Sequence, residues 1–232
     1  PPRREPWLSL EAGIMILALA VVVGLIASFV RHRGQTAGQL AAVPVRSAWM
    51  ALLAVVLQIP LLRAPFGTLE QVGTQQVLFL LSHLLLLAFV WRNRHLAGIW
   101  IVGLGVICNL AVIVANGGFM PVTPETLVQI NPGSDLSQWP TGFHYGYSKD
   151  VILLREATVL WALSDRLVLP PPFPWPTAFS LGDLLIAAGI MVLLQGPAKL
   201  PGVAPGWGRR GLVVGKTTTE EQETISYEAQ KS

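Results

Sequence analysis

Residues 75–91 read QQVLFLLSHLLLLAFVW, a run without a charged side chain that is closed by Arg92 and Arg94. How this run is read decides the fold. A helix rises about 1.5 Å per residue, so about 20 apolar residues cross a hydrocarbon layer about 30 Å thick. Working outward, uncharged runs of similar character cover 12–30, 47–62 and 97–115, and a further apolar run, 179–195, carries Asp183 as its one charge. Together they predict an all-α fold, a polytopic bundle of five transmembrane helices. Composition points the same way: 52% of the 232 residues are hydrophobic and 12% are charged, about half the charged share of a soluble domain.

Basic residues near the ends of the runs predict an orientation, because cytoplasmic loops collect Lys and Arg. Arg31, Arg33 and Arg46 lie between the first two runs, Arg92 and Arg94 between the third and fourth, and Lys199, Arg209, Arg210 and Lys216 after the last. The N-terminus is expected outside and the C-terminus in the cytoplasm, across a bacterial inner membrane. Arg3 and Arg4 oppose this, partly offset by Glu5. The first run exceeds a usual signal-peptide core and is followed by Arg31-His32-Arg33, so a retained helix is expected. The net charge of +3 is scattered along the chain, which argues against nucleic acid as a partner. Cys108 is the single cysteine, which excludes an intramolecular disulfide and a cysteine metal cluster.

The chain thus divides into a bundle, 1–195, and a cytoplasmic polar tail, 196–232. Within the bundle, 116–178 forms an outer loop. Its first half is rich in turn formers, from Asn116-Gly117-Gly118 to Asn131-Pro132-Gly133. Apolar residues at helical spacing over 150–169, crossed by Arg155, Glu156, Asp165 and Arg166, predict an amphipathic helix lying on the outer surface. A sixth span is the alternative. The tail has little to bury and is expected to order on a partner protein.

Several motifs invite a functional reading, each beside a plainer one. His83, midway along its run, can ligate the metal of a haem or chlorophyll-like tetrapyrrole, or hydrogen-bond to another helix. Gly98, Gly105 and Asn109 share one helical stripe, as do Ala20, Gly24 and Ser28; both predict close helix packing, and the two helices are candidate neighbours. Ser180 and Asp183 have capping-box spacing, and Asp183 is also a candidate for ligand binding. Asn116, Met120, His144 and Asp183 make a candidate ligand site under the outer loop. The segment 211–217 resembles a phosphate-binding loop, but Arg210 replaces its first Gly and no helix-forming run follows. No spacing among His, Asp and Glu matches a metal site or a nucleophile–base arrangement.

The stretches Asn116-Gly117-Gly118-Phe119-Met120-Pro121-Val122, Trp161-Ala162-Leu163-Ser164-Asp165 and Phe179-Ser180-Leu181-Gly182-Asp183 carry a resemblance. From the first run to Gln195 the chain resembles an uncharacterised bacterial multi-spanning membrane family, a domain of unknown function with Asn-Gly-Gly-x-Met-Pro and Phe-Ser-x-Gly-Asp motifs. Arg33-Gly34-Gln35 departs from the Arg-Gly-Gly of that pattern. The resemblance implies a compact helical membrane protein and brings no reaction or cofactor.

The expectation is a non-enzymatic accessory or assembly subunit of a larger membrane complex, of the photosynthetic or respiratory energy-transducing kind. Lipid and other membrane subunits would be its partners, met by the spans and the tail. The alternatives are a small-molecule binding or transport protein with its site under the outer loop, and a pigment- or haem-binding subunit using His83.

Overall fold

The computed structural model describes residues 12–31, 43–59, 69–145, 149–173 and 176–195, all within the first of two units, Pro1–Pro197. The tail 196–232, the segment 211–217, Pro60, Tyr147 and the N-terminal arginines lie outside them.

Helices α1 (Ala12–Arg31), α2 (Ala48–Gln58), α3 (Leu69–Arg92), α4 (Ile99–Ala115) and α6 (Leu181–Leu194) pack in the order α2, α3, α4, α6, α1. Between α4 and α6 the chain builds a small cap. It contains β1 (Met120–Val122), α5 (Pro124–Ile130), β2 (Asp150–Ile152), β3 (Leu167–Leu169) and β4 (Thr177–Phe179). β1 and β2 pair in parallel, Met120 opposite Asp150, and β3 and β4 pair antiparallel, Leu167 opposite Phe179. Val122, Leu127, Ile130, Ile152 and Ala178 form the core of the cap. Each large one contributes about 1.5–3 kcal/mol by leaving water.

The five-span reading does not hold. Among the described residues one helix, Gly73–Arg92 within α3, is long and apolar enough to cross a membrane. The shorter apolar helices are Ala48–Gln58, Ile99–Ala115 and Leu181–Leu194, together with the stretch Leu19–Arg31 of the 20-residue α1. Local stops explain two of these lengths. At the end of α4, Asn116 is followed by Gly117 and Gly118 at φ 80° and 90°, and the Gly118 N–H donates to Ile113 O at 2.7 Å. That left-handed stop needs glycine and satisfies a carbonyl the helix would leave open. At the start of α6, the Ser180–Asp183 capping box is formed, so the helix begins only after β4. The four strands also make the fold mixed, with helix predominant.

The outer amphipathic helix over 150–169 is absent as well. That segment is β2, a 3-10 turn at Arg155–Ala157, another at Trp161–Leu163, and β3. Hydrophobicity there has a second use that periodicity cannot reveal. Val151 and Ile152 pair with β1, the Leu167-Val168-Leu169 run pairs with β4, and Leu160 sits in the left-handed region at φ 57°, where a helix cannot continue.

Candidate functional site

The site is built where the helices meet the cap. Asn109 on α4 donates through Nδ2 to Asp183 Oδ1 at 2.8 Å, and its Oδ1 accepts from Ser180 Oγ at 2.8 Å. Ser180 Oγ in turn accepts the Asp183 N–H at 2.9 Å, while Asp183 Oδ2 accepts the Ser180 N–H at 3.1 Å. All three side chains are buried. They close a ring in which each polar atom named has a partner, the condition under which buried polar groups stabilise. Glycine makes room for it: a Cβ on Gly182 would collide with the Asn109 carboxamide, and one on Gly105 would come within 2.5 Å of Gly182 O.

Beside the ring stands an ionic cluster from the cap. Lys149 Nζ reaches Asp165 Oδ2 at 2.8 Å and Asp150 Oδ1 at 3.1 Å, with the Asp165 side chain 2% exposed. The Asp165 N–H is anchored on Pro121 O at 3.2 Å, so β1 sets its position. Burial opposes the Lys149 charge, but the carboxylates of Asp150, Asp165 and Asp183 outweigh it and hold the ammonium's pKa above its ordinary value. For Asp165, burial pushes the carboxyl well up, Lys149 pulls it back in part, and Asp150 and Asp183 add to the rise. Asp165 Oδ1 and the Trp161 indole Nε1 are both buried without a hydrogen-bond partner among the described residues. Such atoms are rare in folded proteins and expensive to leave open.

The candidates read from the sequence are placed as follows. Asp183 and Asn109 belong to this ring. His144 lies under the cap, with an isolated bridge to Val151 and its ring edge-on to Phe119 at 4.2 Å between centroids. Burial drives its pKa down to about 4 despite the nearby Asp150. Met120 is 1% exposed and packs with Phe79, Val112 and Ile113. Asn116 stands apart at the end of α4, where Nδ2 donates to Val159 O and Oδ1 accepts the Val159 N–H. The four residues therefore do not form one pocket.

His83 is buried, and its Nδ1 lies 2.9 Å from Phe79 O, one turn earlier on its own helix. Among the described residues it makes no hydrogen bond to a neighbouring helix. Both small-residue stripes pack on α6 instead of on each other: a Cβ on Gly24 would lie 2.8 Å from Leu194 Cδ1, and one on Gly98 would collide with Gly189 O. Ala20 packs against Ala187 of α6, and Ser28 is fully buried. The reason is that α6 carries its own Gly182, Ala187 and Gly189. Lys149 escaped the sequence reading. Its one visible signal was a lone cation beside the β-branched Val151-Ile152 pair, with Asp165 in a quoted motif further on. Among the described residues no three His, Cys, Asp or Glu side chains are grouped to hold a metal ion.

Fold and site together define a mainly helical protein with a small capping unit and an ionic centre buried at their junction. The chain belongs to the family of unknown function DUF5317, whose model matches residues 42–195. It is similar to an uncharacterised protein of Thermotoga maritima, 29% identical over 130 residues, which is 55% of this chain and 68% of that protein. No solved structure matches.

Proposed function

We propose that the chain is a membrane-embedded, non-catalytic binding protein that holds a small polar ligand at the helix–cap junction. The observation that carries this reading is Asp165 Oδ1, buried and without a partner among the described residues, beside the Lys149 ion pair. This atom accepts a hydrogen bond when the carboxyl is ionised and donates one when it is protonated. Trp161 Nε1 adds an open donor from the same segment. A small molecule carrying a hydrogen-bonding group would satisfy the Asp165 atom, as buried waters do in smaller spaces.

The membrane placement draws on two features. Helix α3 has the length and apolarity to cross. Val22 and Ile26 on α1, Leu52 and Val55 on α2, and Leu104 and Ile107 on α4 are exposed large apolar side chains. Exposed apolar area on this scale suits lipid or protein contact. Location in a bacterial inner membrane, with the cap on the outer side, follows from the basic residues of the short loops.

The test is native mass spectrometry of the protein taken from its own membranes in mild detergent, beside the Asp165→Ala variant. A small adduct on the wild type that disappears in the variant is expected. Two bare proteins, both folded, would end the ligand reading. A second reading, an accessory subunit of a larger membrane complex, is favoured by the same exposed apolar residues, which also suit partner helices. It predicts a particle much heavier than the chain's 25.1 kDa with other proteins in it.

A further inference from the structure

The loop between Leu154 and Trp161 leaves the cap beside the last turn of α4, tied there by Asn116, which donates to Val159 O at 2.8 Å and accepts its N–H at 2.9 Å. Val114 in that last turn is exposed, and so are Leu154, Val159 and Leu160. The apolar side of α4 therefore continues onto the loop. Leu160 is held at φ 57°, ψ 37°, a conformation that costs a side chain with a Cβ about 1–2 kcal/mol, yet it stays 47% exposed. Strain retained without burial in return points to a contact made outside the chain.

Next to it, two cations converge on one ring. The guanidinium carbon of Arg155 lies 3.9 Å from the Trp161 ring centroid and that of Arg166 lies 4.7 Å from it. Among the described residues neither arginine has a carboxylate within ion-pair reach. Asp165 is turned inward to Lys149, and Glu156, in the same turn, is exposed and unbridged. Two like charges stacked on one indole lack only an anion, and paired guanidinium groups match phosphate oxygens bidentately.

We infer that this loop is a docking surface for the headgroup region of a bilayer. Leu154, Val159 and Leu160 enter the acyl boundary, Trp161 lies at the interface, and Arg155 and Arg166 grip the phosphate of an anionic phospholipid. Continuity with the apolar side of α4 and charge complementarity select lipid as the occupant. The inference rests on the membrane placement proposed above.

The test uses the full chain carrying Cys108→Ala and a single new cysteine, either Leu160→Cys on the loop or Leu84→Cys on α3. Each is labelled with a polarity-sensitive fluorophore in nanodiscs of phosphatidylcholine with phosphatidylglycerol. Both labels should be blue-shifted and quenched by a lipid-borne quencher. Phosphatidylglycerol retained by the protein should fall about tenfold in R155Q/R166Q, roughly the loss of one charge-assisted contact. A quenched label at 84 with a water-exposed label at 160 overturns this inference and leaves the membrane placement standing. Two water-exposed labels overturn both. Shielding of the 160 label only when a second protein is bound assigns the surface to a protein partner, and release of the bound phosphatidylglycerol by inorganic phosphate assigns the arginines to free phosphate; either result overturns the lipid reading.

Discussion

Lys149 is the residue on which the charges of the junction depend. Replacing it with Met leaves Asp150 and Asp165 buried without their cation, and breaking such a pair costs about 3–5 kcal/mol. Adding Asp165→Leu removes the stranded carboxyl and should recover most of that loss, which chemical unfolding of the single and double variants would register. His144 supplies the pH dependence. Its folded pKa of about 4 lies below the ordinary 6.5, so its contribution to stability is complete above 6.5 and is lost as pH falls from 6.5 through 4. An NMR titration of the labelled ring should show a midpoint near 4, moving toward 6.5 on unfolding. Asp165 should hold its proton well above the pH at which ordinary aspartates lose theirs. An infrared pH titration of the carboxyl band, wild type beside Asp165→Asn, would show it as a component that protonates at higher pH than the other aspartates.

Among the elements, α6 joins the helices on either side of it, and its glycines are the reason. Gly182→Ala would drive a methyl group into the Asn109 carboxamide. The chain must then separate α4 from α6 or break the ring, and a loss of about 1–3 kcal/mol is expected. Gly73, whose added Cβ would meet nothing within 4 Å, is the control: Gly73→Ala should stabilise α3 slightly, and thermal unfolding of both glycine variants beside the wild type measures the two effects. Much of this was legible in advance. Ser180 and Asp183 announced a cap by spacing, and Gly105 and Asn109 announced a contact face. The partner of that face was not legible, because Asn109 and Asp183 are 74 residues apart and nothing local links them. The failure over 150–169 has a different cause. Its charges sit where a surface helix would want them, yet Lys149 and Asp165 turn inward and the β-branched residues find strands to pair with. Periodicity reports which residues are apolar, but it does not say whether the next turn or another strand will cover them.

For the molecule as a whole, the runs were read correctly as apolar and incorrectly as five complete crossings. Helices stopped early by a glycine turn or started late by a cap still expose their outward faces, and α4 and α6 do so over 17 and 14 residues. If lipid surrounds these faces, alkaline carbonate washing should leave the protein in the membrane pellet and detergent should release it. Release by carbonate alone would count against the placement.

The Asn109–Ser180–Asp183 ring has one more consequence. It clasps the body of α4, at Asn109, to the point at which the main chain returns from the cap, so everything between them is an excursion from a closed base. Lengthening such an excursion costs only a logarithmic entropy term, because its ends are already held. Insertions at the open turns around Gly133 and Gly142 should therefore leave the helices undisturbed. A polypeptide nicked at Gly142 should stay in one piece under native conditions, its halves held by a clasp of three side chains.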